Sequence, residues 1–248
     1  MLKTLGIVEA CFRSPPARSR ASRRLGGKSV LEWVVRRATD CLQLNGVIVV
    51  TSDAPENQFV SKLVPPDVPV HVAGKPDVLG CLAAATEKYP AQAVVRIGTN
   101  CPFIDPLLID RLVATAARHE ECDYVSYCSR DGRPAILSPV GVYAEWCRTE
   151  ALRLASRQAR ARLDRDEPTR YLYSHPEKFR IRLIPVPEQI DREDVRLCVD
   201  IEEDFDHAVA IFEALGPELD YQRIATLLHH QPALRSRMAA INRAAARG

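Results

Sequence analysis

The sequence predicts an α/β fold, a mostly parallel twisted sheet flanked by helices, for three reasons. First, short β-branched runs, which favour buried strands, occur at residues 5–8, 47–50, 68–72 and 94–97. Second, the segments between them have helical periodicity, most clearly at residues 29–42 and 77–89. Third, the run at 94–97 stops at a Gly-Thr-Asn-Cys-Pro turn, and Asp105-Pro106 then begins a helix that extends to about residue 118. Such alternation is typical of a parallel sheet.

The second half of the chain continues the alternation. Further strands are predicted at residues 124–127 and 180–186, with a short apolar run at 140–143. Helices are predicted at 146–162, at 202–215 and, as a broken pair, at 220–247 with the break at Gln231-Pro232. Because 248 residues can bury a substantial core, we expect a single domain over residues 1–248.

Composition excludes several classes of partner. A hydrophobic content of 46%, a charged content of 27% and a net charge of +2 are ordinary for a soluble globular protein and favour no polyanionic partner. The arginines of the predicted helix 146–162 have no aromatic residues between them, so we expect no nucleic-acid binding. No apolar stretch could span a bilayer, and the first strand begins too early for a signal peptide. Eight cysteines without paired C-x-x-C spacing indicate reduced thiols and a cytoplasmic protein.

Candidate functional residues lie where the predicted strands end. In open α/β sheets, ligands bind outside the carboxyl ends of the strands, and Asn100 occupies such a position. Asp200 follows residues 197–199, which we interpret as another strand end. Residues 11–24 carry five arginines and two adjacent prolines, which favour an irregular loop. Guanidinium and backbone N–H groups of such a loop could hold a triphosphate, although a solvated basic loop is the alternative. A dinucleotide-binding Rossmann site and a Walker A loop are not expected, because neither motif occurs.

Several segments together resemble one family. VRIGTNCPFIDPLLID, from residue 95, resembles the VRITGDCPLIDP segment of the SpsF-type cytidylyltransferases, relatives of the CMP-Kdo and CMP-sialic acid synthetases. LGGKSVLE from residue 25 resembles LGGKPVLE, and GKPDVL from residue 74 resembles G-x-x-DVL. YLYSHPEKFRI from residue 171 and VDIEEDF from residue 199 resemble PYIYxHPExFRI and VDTPEDL. The segments follow the family order from about residue 5 to about residue 240. The resemblance implies a GT-A-like nucleotide-diphospho-sugar transferase fold.

The resemblance also implies an activity and a site. The activity is transfer of CMP from CTP to a sugar or sugar acid, with release of pyrophosphate, in surface-glycan biosynthesis. The implied catalytic residue is Arg20, which stands in place of the family's lysine, and Asn100 and Asp200 are the implied Mg²⁺ ligands. The implied nucleotide-binding residues are Ala10, Cys11, Arg13, Ser14, Arg18, Asp77 and Thr99. Residues 124–186 would bind the sugar and form a homodimer contact, and residues 216–248 would be closing helices.

The sequence departs from the family pattern at its most functional positions. Cys11 and Pro16 stand where the family has arginines, and Cys81 replaces the arginine of DVLxR. Asn100 replaces an aspartate, so the metal site loses one negative charge. Two alternatives therefore stay open. The protein could be a non-catalytic nucleotide- or sugar-binding homologue or a partner subunit, or it could be a nucleotidyltransferase with altered base or metal choice.

Overall fold

A computed structural model describes residues 1–246, and the last two residues of the predicted closing helices lie outside the described part. The described chain contains a seven-stranded sheet with the strand order β5-β4-β1-β6-β8-β7-β9 and a separate β2-β3 ribbon. Strands β5, β4, β1 and β6 are parallel neighbours. Strand β8 is antiparallel to both β6 and β7, while β9 is parallel to β7. The predicted fold class, a mostly parallel sheet flanked by helices, is confirmed.

The elements alternate along the chain as the periodicity predicts. The strands are β1 Leu2–Glu9, β2 Arg24–Leu25, β3 Lys28–Ser29, β4 Val47–Ser52, β5 Val70–Ala73, β6 Ala91–Gly98, β7 Tyr124–Cys128, β8 Glu145–Arg148 and β9 Ile181–Pro185. The helices are α1 Pro15–Ser22, α2 Val30–Thr39, α3 Val60–Leu63, α4 Val78–Lys88, α5 Pro106–Arg118, α6 Thr149–Gln158, α7 Arg162–Asp166, α8 Arg170–Tyr173, α9 Glu202–Leu215, α10 Tyr221–His230 and α11 Pro232–Ala245. None of the helices within residues 1–246 is long and apolar enough to cross a membrane.

The sheet is buried on both faces, which explains its continuous apolar strands. Successive strand residues point to opposite faces, so Val94 packs in one hydrophobic cluster and Val95 in the other. Helices α2, α5 and α9 cover the face of Val95. Helices α4 and α6 cover the face of Val94. This arrangement leaves the carboxyl edge of the parallel strands open for a site.

The prediction of an irregular loop over residues 11–24 is wrong, because Pro15 and Pro16 begin helix α1. Ser14 is the N-cap, and its side chain accepts a hydrogen bond from the Ala17 N–H. Proline is tolerated in the first turn of a helix, since its missing N–H has no partner there and its fixed φ suits the helix. Proline therefore excluded the interior of a helix at this position but not its start.

Two further predictions in the second half of the chain are wrong. The predicted helix 146–162 is instead strand β8, helix α6 and the start of α7, because Trp146 pairs with Val95 and Val125 across the sheet. Residues 197–199 do not form a strand. Their backbone N–H groups donate instead to loop carbonyls, those of Leu197 and Cys198 to Pro139 and that of Val199 to Asn100. The run at 140–143 is also irregular. In each case a long-range partner satisfies the backbone and overrides the local pattern.

Candidate functional site

The structure brings Asn100 and Asp200 together at the carboxyl edge of the parallel strands. Asn100 follows β6, and its Nδ2 donates a 2.8 Å hydrogen bond to Oδ1 of Asp200. The backbone is joined as well, since the Val199 N–H donates to the Asn100 carbonyl at 2.7 Å. The side chain of Asp200 is 43% exposed and can therefore reach a ligand in solution. The two residues implied as metal ligands thus form one pair.

The donor set at this pair fits a magnesium ion only together with substrate. The protein contributes the carboxylate of Asp200 and the amide oxygen of Asn100, which accepts a contact from the Cys101 thiol at 3.3 Å. Within residues 1–246, no group of three or more His, Cys, Asp or Glu side chains could hold a metal ion. Mg²⁺ is commonly bound by one or two carboxylates, with phosphate oxygens and waters filling the octahedron. The pair is therefore compatible with a cation that arrives with a triphosphate.

The first turn of α1 contains no backbone donors for an anion. Pro15 and Pro16 have no N–H group, and the N–H groups of Ala17 and Arg18 both donate to Ser14, to its side chain and its carbonyl respectively. The N-terminal N–H groups that usually bind phosphate at a helix start are therefore absent or occupied. Within the first turn of α1, only side chains could therefore hold a phosphate group, and whether the segment binds a triphosphate stays a prediction.

The arginines of this segment divide into paired and unpaired side chains. Arg13 forms an ion pair with Asp166 of α7 and donates to the Pro76 carbonyl at 3.1 Å. Arg23 pairs with Glu202 and lies over the Phe205 ring, 3.7 Å from its centroid. Within residues 1–246, Arg18 and Arg20 form hydrogen bonds only through their backbones. The guanidinium groups of Arg18 and Arg20 are therefore the ones that can bind an anion without breaking another contact.

Besides Arg13 and Ser14, three more of the residues implied as nucleotide-binding are already engaged within the protein. The Ala10 N–H donates to the Val50 carbonyl at 2.8 Å, and its own carbonyl accepts from the Thr51 hydroxyl at 2.8 Å. Oδ1 of Asp77 caps α4 through the Gly80 N–H at 2.8 Å, and Oδ2 pairs with Arg165 at 2.8 Å. The third is Cys11. A hydrogen bond with the Cys81 thiol, together with burial, raises the pKa of Cys11, so this thiol stays neutral. Thr99, the last residue of the implied set, lies half-buried in the turn before Asn100.

A charged network below this edge was missed from the sequence. Arg96 on β6 pairs with Glu9 of β1, Nη2 to Oε2 at 2.7 Å, and with Glu145 of β8, Nη1 to Oε2 at 3.2 Å. Glu145 is fully buried and also accepts hydrogen bonds from the hydroxyl groups of Tyr124 and of Thr169, the latter at 2.7 Å. The available signal was the presence of charged residues within apolar strands, since such residues are almost never buried unless paired. The network ties three strands to the segment that begins α8.

Two sequence relatives cover most of the chain. Protein MJ1063 of Methanocaldococcus jannaschii is 28% identical over 205 residues, which are 82% of this chain and 81% of that protein. The spore coat polysaccharide biosynthesis protein SpsF of Bacillus subtilis is 23% identical over 236 residues, 92% of this chain and 95% of SpsF.

Solved structures share the fold. A cytidylyltransferase from Leptospira borgpetersenii matches with a TM-score of 0.84 and 18% identity, over 94% of this chain and 97% of that one. A CMP:2-keto-3-deoxy-manno-octonic acid synthetase complexed with CTP matches with a TM-score of 0.63 and 15% identity, over 86% and 99%. Rv0371c of Mycobacterium tuberculosis, complexed with manganese, matches with a TM-score of 0.59 and 17% identity, over 84% and 98%.

A model of the cytidylyltransferase family matches residues 6–229. The match includes the central strand β6, the segment of α1 and the loop that carries Asp200. The resemblance found in the sequence motifs is confirmed: the chain belongs to the cytidylyltransferase family.

Proposed function

We propose that this protein transfers CMP from CTP to a sugar or sugar acid and releases pyrophosphate, in the synthesis of a surface glycan. The family name and the CTP complex of a structural neighbour support the nucleotide. The name of SpsF, a polysaccharide biosynthesis protein, supports the glycan role. The observation that carries the proposal is the pairing of Asn100 with Asp200 at the strand edge that also carries the arginines of α1.

In the proposed reaction, a sugar hydroxyl oxygen forms a bond to the α-phosphorus of CTP. The bond from that phosphorus to the oxygen leading to the β-phosphate breaks, pyrophosphate leaves, and the hydroxyl proton passes to solvent. Little covalent chemistry is asked of the protein, which has to position the reactants and offset their charge. Arg18 and Arg20 are assigned to the phosphates because their guanidinium groups have no competing partner within residues 1–246.

We propose that Asn100 and Asp200 hold the divalent cation Mg²⁺. The manganese complex of a protein with the same fold supports the use of a divalent metal. Such an ion would supply charge stabilisation at the transferring phosphoryl group. The single carboxylate at this pair predicts weak binding of the cation alone and stronger binding with CTP.

A second candidate function, nucleotide or sugar binding without turnover, is favoured by the α1 segment. Its first turn has no available backbone donor, and Arg13 is paired with Asp166. A protein with these features could bind a nucleotide through Arg18 and Arg20 but hold the triphosphate too loosely for in-line attack.

Two measurements separate the candidates. Calorimetric titration with each of the four NTPs, with and without Mg²⁺, tests whether CTP is preferred and whether the metal strengthens binding. Release of pyrophosphate from CTP in the presence of a panel of sugars and sugar acids then tests turnover, with Asp200→Ala as the inactive control. CTP binding without any pyrophosphate release would favour the binding protein. Absence of NTP binding would contradict both the transferase and a nucleotide-binding protein, and would leave only sugar binding.

Three further expectations remain proposals. We propose that residues 124–186 bind the sugar and provide the contact of a homodimer, with residues 216–248 as closing helices of the same domain. We also propose a cytoplasmic location, supported by the eight cysteines, which are all free in the structure. Analytical ultracentrifugation would test the dimer.

A further inference from the structure

A buried ion pair lies directly behind Asp200. Arg196 holds Asp204 with two parallel hydrogen bonds, Nε to Oδ1 at 2.6 Å and Nη2 to Oδ2 at 2.9 Å. Arg196 is 7% exposed and Asp204 is 2% exposed. Two-pronged arginine–carboxylate bonding of this kind fixes direction as well as distance, which a lysine in the same place could not reproduce.

The same pair holds the backbone and the side chain of Asp200. Oδ2 of Asp204 accepts hydrogen bonds from the N–H groups of Asp200 at 2.9 Å and Ile201 at 3.1 Å. Nη2 of Arg196 also lies 3.6 Å from Oδ2 of Asp200. Asp200 therefore touches both members of the pair, through its N–H and through the carboxylate oxygen that does not face Asn100.

Helix α11 braces this arrangement from the far side. Nη1 of Arg196 donates to Oδ1 of Asn242 at 3.4 Å. Asn242 in turn donates through Nδ2 to the carbonyls of Glu193 at 2.8 Å and Val195 at 3.2 Å. The irregular segment before Asp200 is not part of a strand, so these side-chain contacts, together with the backbone bonds of residues 197–199 to loop carbonyls, take the place of a sheet ladder.

We infer that Arg196 is a positioning residue for Asp200. It fixes the direction of the Asp200 carboxylate through Asp204 and through its own contact with Oδ2. The inference rests on the proposed function, in which Asp200 holds the divalent cation. Partners that orient a metal-binding carboxylate typically contribute roughly 10-fold to 100-fold in metal affinity.

The test is a titration of the full-length protein with Mn²⁺ at saturating CTP, in which electron paramagnetic resonance measures the bound metal. Arg196→Lys keeps the positive charge but removes the two parallel bonds, so a change reports geometry rather than net charge. We expect roughly 10-fold weaker Mn²⁺ binding in this variant. The matched control is Arg235→Lys, which disrupts the pair of Arg235 with Asp194 on the same segment, away from Asp200. We expect unchanged Mn²⁺ affinity in the control.

The outcomes separate this inference from the proposed function. If Asp200→Ala leaves Mn²⁺ binding unchanged, the cation is held elsewhere and the proposed metal role of Asp200 is wrong. If Asp200→Ala weakens binding while Arg196→Lys matches the Arg235→Lys control, only the positioning role is overturned. Should Arg196→Lys fail to fold, Asn242→Ala decides, because it removes only the outer brace. Weaker Mn²⁺ binding in Asn242→Ala supports the inference, and wild-type affinity contradicts it.

Discussion

The side-chain amide of Asn100 donates a 2.8 Å hydrogen bond to the carboxylate of Asp200, across 100 residues of sequence. In this arrangement the N–H group of Asn100, and not its amide oxygen, faces the Asp200 carboxylate. A divalent ion shared by the two residues therefore requires the amide to turn, so that its oxygen instead of its nitrogen faces the ion. This competition is a physical reason for weak binding of the metal in the absence of nucleotide.

The substitution Asn100→Asp tests this competition. It replaces a favourable amide contact by a second carboxylate, so the free protein should lose stability and the cation should bind more tightly. At an effective dielectric of about 20, two charges 4 Å apart interact by about 4 kcal/mol before desolvation. Because desolvation and repulsion offset much of this, we expect roughly a tenfold gain in Mg²⁺ affinity. Calorimetry measures the affinity, and thermal unfolding with and without Mg²⁺ measures the stability.

Turnover of the same variant distinguishes the two candidate functions. An impaired enzyme should release pyrophosphate faster after Asn100→Asp, whereas a binding protein should gain metal affinity without turnover. A wild-type protein that turns over rapidly with Mg²⁺, and is slowed by Asn100→Asp, would show that the amide is required and that our interpretation of Asn100 is wrong.

The substitution Arg20→Ala should weaken nucleotide binding by roughly 1.5–3 kcal/mol, the scale of a lost hydrogen bond to a charged group. The effect should diminish at high salt, because the interaction is between charges near the surface. Arg157→Ala, on the exposed side of α6, is the matched control and should bind as the wild type does. Unchanged calorimetric affinity in Arg20→Ala, with an intact circular dichroism spectrum, would mean that Arg20 only contacts solvent.

The substitution Pro16→Ala restores one backbone N–H in the first turn of α1. If phosphate lies at this helix start, the new donor should strengthen CTP binding by about 0.5–1.5 kcal/mol, the net worth of one hydrogen bond. The free protein should lose about 0.4–1 kcal/mol of stability, since the unfolded chain gains freedom when proline is removed. Calorimetry and urea unfolding measure the two effects. Lost stability with unchanged CTP affinity would place the phosphates away from α1.

Substitutions in the buried network of Arg96, Glu9 and Glu145 should differ in how much they lower the free energy of unfolding. Arg96→Met leaves the carboxylates of Glu9 and Glu145 without a counter-charge, so we expect a loss of about 3–5 kcal/mol in the free energy of unfolding. Glu145→Gln leaves the positive charge of Arg96 balanced by the negative charge of Glu9. The loss in the free energy of unfolding should therefore be smaller, about 1–3 kcal/mol. Urea unfolding monitored by fluorescence measures both. Equal losses in the two variants would mean that an unpaired buried charge contributes less to the free energy of unfolding than side-chain packing does.

Acid should remove the contribution of the Asp194 ion pairs to the free energy of unfolding. Hydrogen bonds from Arg192 and Arg235 lower the pKa of Asp194 to about 2, against the opposing effect of burial. Because the folded-state pKa is lowered, this stabilisation is complete above the unfolded-state pKa near 3.8 and is lost as the pH falls through about 2. Asp194→Asn should therefore cost up to about 1 kcal/mol at neutral pH and little near pH 2. A difference that does not change with pH would exclude the ion pair as its source.

The sequence by itself determined the features that depend on hydrogen bonds between a side chain and the nearby backbone. Helix α9 spans the predicted residues 202–215, and the predicted N-cap Asp105 caps α5. Asp77, the first residue of the predicted helical segment 77–89, caps α4. These features depend on side chains that bond to N–H groups two or three residues away, so the sequence contains both partners. The buried strands could be recognised for a similar reason, since a parallel sheet covered on both faces requires continuous apolar runs.

Contacts between distant segments were decided only by the tertiary structure. Trp146 lies in β8 because strands β6 and β7 offer it hydrogen-bonding partners, and no pattern near residue 146 contains that information. The pairing of Arg13 with Asp166, 153 residues away, depends in the same way on where the chain returns. Asp200 was identified by motif, but its orientation depends on Arg196 and Asp204 instead of the strand expected before it. The free energy of such contacts comes from burial and pairing that exist only once the chain is folded.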